Sequence, residues 1–214
     1  MRNEFCVVLC SIVLYFGLTI PLDVSAGGED TEPWNEPSGE IERIYKRFAE
    51  ISATMLVSVR NVIAKYQGLI NQDPETGNYH FKGFVPAIVG SYVANDFNLR
   101  TGYKLRQTAL KVRNPKNKPD EWEVKALGIL EKDKTKKDFG EITKVEKKDV
   151  YRYMKPLYME KECVLCHSVP EVMPPEIRAY IEKYYAADEA LGYKEGDLRG
   201  GISITVPITE WFIP

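Results

Sequence analysis

The stretch FGEITKVEKKDVYRYMKPL, residues 139–157, carries the pattern that decides the fold class. Residues 139–145 and 150–157 are rich in β-branched and aromatic side chains, and a charged segment joins them, which predicts two strands and a turn. Two further strands are predicted where apolar and polar residues alternate, at Tyr103–Val112 and over GISITVPI, residues 201–208. Strands joined by so short a turn pair antiparallel, so we expect an antiparallel sheet.

Helices are predicted before and between these strands. From Ser38 to Ile70, apolar residues recur every three or four positions, which predicts a long N-terminal helix with one buried stripe. Packing on the chain's own sheet and packing on a second copy in a homodimer both use this stripe, and the periodicity does not choose between them. Shorter helices are predicted to begin near Pro86, Asp120 and Pro175. The fold class is therefore α+β, with flanking helices on an antiparallel sheet. The stripe consists of Ile41, Ile44, Phe48, Ile51, Met55, Val59, Val62, Tyr66 and Ile70.

Composition excludes several classes of protein. The 214 residues include 29 Lys+Arg and 31 Asp+Glu, and the net charge of −2 argues against nucleic-acid binding, which requires a strongly basic surface. The hydrophobic share of 44% is ordinary for a globular protein and too high for a disordered one.

The first 26 residues have the features of a secretory signal peptide. A positive charge at Arg2 precedes an apolar run from Phe5 to Ile20, and small residues end the segment at Ala26. A retained membrane anchor is the alternative, but the run is shorter than the roughly 20 residues that span a bilayer. The sequence predicts a signal peptide at 1–26, a flexible acidic leader at 27–37 and one domain at 38–214. The protein is then periplasmic or otherwise exported, without a membrane span after cleavage.

Cleavage would remove Cys6 and Cys10 and leave two cysteines in the chain, Cys163 and Cys166. His167 follows Cys166 directly. This C-x-x-C-H spacing is typical of c-type haem attachment, in which the two thiols form thioethers with the porphyrin and the histidine ligates the iron. Haem c is attached outside the cytoplasm, so the signal peptide and the motif support each other. A thioredoxin-like pair, a zinc site and a structural disulfide are weaker alternatives.

The sequence does not decide which residue, if any, is the sixth ligand of the iron. His80 is the remaining histidine of the exported chain, and methionine is the other common ligand, with Met55, Met154, Met159 and Met173 as candidates. We place Met55 in the core and expect an open or water-bound iron that binds a small diatomic ligand. For the haem propionates we expect cationic partners at Arg106 and Arg113.

Three stretches together resemble a monohaem c-type family with a PAS-like fold, an exported haem c sensor-type domain formerly catalogued as a domain of unknown function. They are YKLRQTALKVRNPKNKPDEWE at 103–123, ECVLCHSVPE at 162–171 and DEALGYKEGDLRGGISITVPI at 188–208. The resemblance implies a five-stranded antiparallel sheet, thioethers at Cys163 and Cys166, and His167 as the proximal ligand. Some members use a distal cysteine, but the matching position here is Gly90, which implies an accessible distal pocket along residues 81–97.

Three functions are consistent with these features. The first is a sensor or ligand-binding protein that responds to NO, CO, O2 or a redox change. The second is a soluble electron-transfer cytochrome c with a redox partner protein. The third is a haem enzyme such as a peroxidase, which ranks last because it needs a distal acid–base residue and His80 is the remaining histidine.

Overall fold

The protein is described here from a computed structural model over residues 39–208, which form six helices and four strands. The predicted signal peptide at 1–26 and leader at 27–37 lie outside the described residues. Within residues 39–208, none of the helices combines the length and apolar content that a bilayer span requires.

The four strands form one antiparallel sheet in the order β1-β4-β3-β2. The central strands β3 and β4 pair over nearly their full length, with Tyr153 opposite Ile204. Glu146 and Lys147 form the tight turn of the β2–β3 hairpin, and both have positive φ, as a type I′ turn requires. The predicted antiparallel sheet is thus confirmed. The strands are β1 (Lys104–Thr108), β2 (Phe139–Val145), β3 (Lys148–Tyr158) and β4 (Leu198–Pro207).

The fifth strand implied by the resemblance is not found among residues 39–208. Residues 71–85, between the N-terminal helices and β1, contribute only an isolated bridge between Gln72 and Tyr79. A proline at 74 and positive-φ glycines at 77 and 83 interrupt this segment, so no continuous ladder forms there.

Helices cover both faces of the sheet, so the α+β class is confirmed. Asp120 and Glu123 form a reciprocal capping box that starts α4, and α3 and α6 begin with proline. Gly102 ends α3 with a φ of 73°, a left-handed conformation that favours glycine. The helices are α1 (Gly39–Lys65), α2 (Gln67–Ile70), α3 (Pro86–Thr101), α4 (Glu121–Lys132), α5 (Lys161–His167) and α6 (Pro175–Tyr184).

Alternation along the strands divides the core between the two faces of the sheet. Tyr153 of β3 points toward α1, and the next residue, Met154, points toward Leu127 of α4. Helices α1 and α3 cover the first face, and α4 covers the second. A third cluster forms around α6, where Ile177 and Ile181 pack with Met173.

The predicted stripe of α1 does not pack on the chain's own sheet, because α1 packs there through a neighbouring face. Tyr45, Ala49, Ala53 and Leu56 are the residues of α1 that are buried against the sheet. Two alanines let the helix backbone approach the strands closely, which larger side chains would prevent. Most of the stripe is exposed, and Met55, expected in the core, is 63% exposed.

Candidate haem-attachment site

The C-x-x-C-H motif forms the short helix α5, directly after strand β3. A helical turn has about 3.6 residues, so Cys163 and Cys166 lie one above the other on one face, with His167 next to them. Both thiols are free and half-buried. Arg113 donates a hydrogen bond of 2.5 Å to the carbonyl oxygen of Cys166 and so holds the end of the helix.

The imidazole of His167 is oriented by the loop that precedes β4. Its Nδ1 lies 2.8 Å from the carbonyl oxygen of Ala190. A carbonyl can only accept, so Nδ1 carries the proton and Nε2 keeps a free lone pair. Burial lowers the pKa of His167 well below its ordinary value, and the charges of Arg199 and Arg113 lower it further. The neutral ring with Nε2 free is the form that ligates a metal.

Asp188 fixes the loop that carries Ala190. One carboxylate oxygen of Asp188 accepts from Arg113 at 2.9 Å, and the other accepts from the backbone N–H of Ala190 at 2.8 Å. The chain from Arg113 through Asp188 and Ala190 therefore reaches the ring of His167. The ring of Tyr193 stands edge-on to His167, with 6.2 Å between centroids. Sequence reasoning missed Asp188, since nothing in its local pattern marks it.

The environment of Cys166 is apolar, with one cation nearby. Cys166 packs beside the cluster of Met173, Ile177 and Ile181. Burial raises the pKa of its thiol, and the charge of Arg113 partly opposes that rise. In this setting the thiol is protonated at neutral pH, as a buried free cysteine is expected to be.

The two arginines predicted to bind propionates lie in different surroundings. Arg106 pairs with the buried Glu123 at 3.2 Å and donates to the carbonyls of Lys116 and Lys118, on the face of the sheet covered by α4. Arg113 lies at the motif, through Cys166 and Asp188. The structure therefore brings Arg113, but not Arg106, into contact with α5.

Two further arginines approach the motif, and sequence reasoning missed both. Arg60, near the end of α1, donates to the side chain of Gln107 and interacts electrostatically with Cys163. Arg199 is the second residue of β4. Its guanidinium carbon lies 5.4 Å from the centroid of the ring of Tyr193. Burial lowers the pKa of Arg60 to about 10, and the neighbouring Arg199 contributes to that decrease.

Gly90, the position matched to a distal cysteine, packs against this group. A Cβ atom at Gly90 would lie 3.0 Å from Oε1 of Gln107 and 3.2 Å from Cγ of Arg60. Gln107 in turn donates to the carbonyl of Ala87 and the hydroxyl of Ser91. The space that a side chain at 90 would use is therefore occupied by Arg60 and Gln107.

Comparison with known proteins shows the family. A family model described as Tll0287-like matches residues 39–207. The chain belongs to the Tll0287-like family. A solved structure titled as the crystal structure of the cyanobacterial heme-protein Tll0287 has a TM-score of 0.61 and 24% sequence identity, and the match covers 82% of this chain and 98% of that one. No curated protein matches.

The Tll0287-like chain places its candidate distal ligands in separate environments. His80 is exposed and borders a turn, where its backbone N–H donates to the carbonyl of Asn71. Met154 is buried on the α4 face, and Met55 faces solvent. Met159 is buried, and Met173 packs in the same cluster as Cys166. The residues proposed to bind haem in this Tll0287-like domain remain predictions from the motif.

The donor set of this Tll0287-like site fits a covalently attached haem. Two free thiols on one helical face and an imidazole with Nε2 free would supply the attachment and ligation groups. A buried Nε of Arg199 has no hydrogen-bond partner among the described residues, which leaves one donor for an acceptor group. Within residues 39–208, no group of three or more His, Cys, Asp or Glu residues is arranged to hold a metal ion by itself.

Proposed function

We propose that this chain is an exported monohaem c-type protein. One haem is attached to Cys163 and Cys166, and His167 is its proximal ligand. The observation that carries this proposal is the hydrogen bond from Nδ1 of His167 to the carbonyl of Ala190, which leaves Nε2 free for iron. The matched cyanobacterial structure is titled a heme-protein, which agrees with a haem function in the family. The family resemblance adds a PAS-like arrangement to this proposal.

The chain's own residues would hold and tune the group. Cys163 and Cys166 supply the thioether sulfurs, and the loop from Asp188 to Tyr193 orients the proximal ring. The hydrogen bond that Nδ1–H donates to the carbonyl of Ala190 raises the basicity of His167 as a ligand. When bound, haem supplies an iron that changes oxidation state and binds small ligands.

Mass spectrometry of the denatured chain tests the covalent link. The full-length chain is expressed in a host with cytochrome maturation, and we expect a mass increase of one haem that survives acid denaturation. Cys163→Ala with Cys166→Ala loses this increase, while Ser168→Ala, which leaves both thiols in place, retains it. A colourless wild-type chain without added mass would overturn the proposal. N-terminal sequencing of the same material tests signal cleavage after Ala26 and export to the periplasm.

For the role of the haem, we propose a sensor or ligand-binding protein with an open sixth position. Gly90, at the position matched to a distal cysteine, has no side chain to offer as a sixth ligand. An iron without a strong distal ligand binds NO, CO or O2. Optical spectra of the ferrous protein test this role: we expect a high-spin species that converts on addition of CO.

Electron transfer is the second candidate, and one surface favours it. Leu165, Val169 and Val172 are exposed beside the motif, at 56%, 47% and 68%. Apolar side chains next to a haem edge suit a transient contact with a redox partner protein. A low-spin ferrous spectrum that is indifferent to CO would favour this candidate, and loss of that low-spin character in His80→Ala would assign the sixth ligand to His80.

A further inference from the structure

Arg60 and Arg199 differ from the other buried or half-buried arginines in their partners. Arg106, Arg113 and Arg152 each form an ion pair with a carboxylate. Within residues 39–208, neither Arg60 nor Arg199 has such a partner. Arg60 donates to the neutral amide of Gln107, and Arg199 donates to the carbonyl of Lys111 at 3.1 Å. Tyr193 also bonds to Arg199, and the charge of Asp188 acts on Arg199 from a greater distance, but that carboxylate already pairs with Arg113. Among the described residues, neither cation therefore has a carboxylate of its own within ion-pair distance.

The same two cations interact with each other and with the haem motif. Burial lowers the pKa of each, and each lies within the electrostatic reach of His167. Arg60 also interacts with Cys163. Burying two positive charges close to each other is unfavourable unless a negatively charged group pairs with them. The arrangement therefore points to a ligand with two negative charges at the motif.

We propose that Arg60 and Arg199 bind the two propionates of the haem attached at Cys163 and Cys166, an inference that rests on the proposed function. A guanidinium pairs with a carboxylate through parallel hydrogen bonds, and the unpartnered Nε of Arg199 is a donor for such a pair. The two negative charges of the propionates match the two positive charges of the arginines. Arg113 keeps Asp188, and Arg106 keeps Glu123, so neither is the main partner.

Resonance Raman spectroscopy and redox titration of the haem-bearing protein test this assignment. Arg60→Gln and Arg199→Gln are expected to shift the propionate bending band. Each is also expected to lower the reduced-to-oxidised ratio about tenfold at a fixed electrode potential, or about 59 mV for one electron. Loss of a nearby positive charge disfavours the reduced iron. Arg100→Gln, at an exposed arginine paired with Asp96, is the matched control and leaves both readouts unchanged.

The outcomes separate this inference from the proposed function. Arg60→Lys and Arg199→Lys keep the positive charge but lose the guanidinium geometry. We therefore expect them to shift the propionate bending band, while the reduced-to-oxidised ratio stays within about twofold of the wild type. If the glutamine variants carry haem but the propionate bending band does not shift, the assignment of Arg60 and Arg199 to the propionates is wrong, even if the reduction potential changes. The proposed haem function would then still stand. A wild-type chain without haem overturns the proposed function and the inference together.

A different observation concerns the exposed face of α1. An exposed stripe runs along α1 and α2 with spacings of three, four or seven residues, the pattern of a helix–helix seam. Its members are 37% to 68% exposed. We define the exposed stripe as Ile44, Phe48, Ile51, Met55, Val62, Tyr66 and Leu69.

We infer that the exposed stripe pairs with the exposed stripe of a second copy of this chain. With about half of each side chain exposed, seven residues offer roughly 600 Å² per copy. Two copies would bury roughly 1,200 Å², which reaches the lower limit of specific interfaces. A twofold pair makes the same surface serve both partners.

Sedimentation of the exported chain over a range of concentrations tests the dimer. We expect a dimer for the wild type, and Met55→Glu is expected to weaken it at least a hundredfold. Thr54→Glu, an exposed neighbour on α1 outside the stripe, is the matched control and leaves the dimer intact. Circular dichroism checks that both variants fold. A wild-type monomer at every concentration, or equal loss in both variants, overturns the inference, as does a monomer that binds lipid vesicles through Met55.

Discussion

Nδ1 of His167 lies 2.8 Å from the carbonyl oxygen of Ala190, twenty-three residues away along the chain. This contact determines which nitrogen of the ring is free, and Asp188 holds the loop that makes it. A loop outside the motif therefore determines the tautomer of His167, with Nε2 available to a metal.

Asp188→Asn is expected to favour the reduced state of the haem protein. The change removes a negative charge, leaves Arg113 without its carboxylate and loosens the backbone at Ala190. We expect the reduced-to-oxidised ratio to rise about tenfold at a fixed potential, about 59 mV for one electron. Redox titration measures it, with Asp96→Asn, at an exposed aspartate, as the control. An equal shift in both variants would rule out a specific role for Asp188.

Gly90→Ala is expected to destabilise the fold by about 1–3 kcal/mol because the site is already tightly packed. The new methyl would meet Gln107 at 3.0 Å and Arg60 at 3.2 Å. Gly128→Ala, in α4, meets nothing within 4 Å and is expected to stabilise by about 0.5–1 kcal/mol through helix propensity. Urea unfolding of both variants measures the difference. A stabilised Gly90→Ala variant would contradict the packing described here.

Glu123→Gln is expected to cost about 3 kcal/mol or more in the free energy of unfolding. Glu123 is fully buried, pairs with Arg106 at 3.2 Å and accepts from the N–H of Asp120 at 3.0 Å. Neutralising it leaves a guanidinium partly buried and unpaired. Glu121→Gln, in the same helical turn but exposed, should cost less than about 1 kcal/mol. Similar losses in the two variants would show that the buried pair is unimportant.

The contribution of Asp120 to stability is expected to disappear in acid. Burial acts to raise the pKa of its carboxyl, but hydrogen bonds from Arg152 and Glu123 and the charges of Arg152 and Arg106 outweigh it, so the pKa lies below 3.8. A depressed folded-state pKa contributes stability above the unfolded pKa, and that stability is lost as pH falls through the folded value.

Asp120→Asn tests this pH dependence. Asparagine still caps α4, so the variant removes mainly the charge. We expect the wild type to be more stable at pH 7 and the difference to shrink steadily below about pH 4. Urea unfolding at several pH values measures it. A difference that stays constant with pH would contradict the proposed ion pair with Arg152.

The elements of this fold followed from local patterns, whereas the packing of α1 did not. Alternation located two strands, and β-branched and aromatic residues on either side of a charged turn located the other two. Capping and proline signals located the starts of α3, α4 and α6. The 3–4 spacing identified α1 but assigned the wrong face to the core. Two apolar stripes run side by side on this helix, and the one with Ala49 and Ala53 fits closely against the sheet. Only shape complementarity with β3 and β4 distinguishes them.

The sequence by itself determined the C-x-x-C-H motif that we propose to attach haem, because Cys163, Cys166 and His167 lie within five residues and their spacing needs only one helical turn. It also determined the class of the fold, because strand alternation and helix capping are local properties. The tertiary structure decided which groups surround the motif. Arg60 and Arg199 come from α1 and β4, and Asp188 comes from the loop before β4. Residues so far apart in the sequence come into contact only when the sheet and its helices assemble. Local sequence patterns therefore do not predict these contacts.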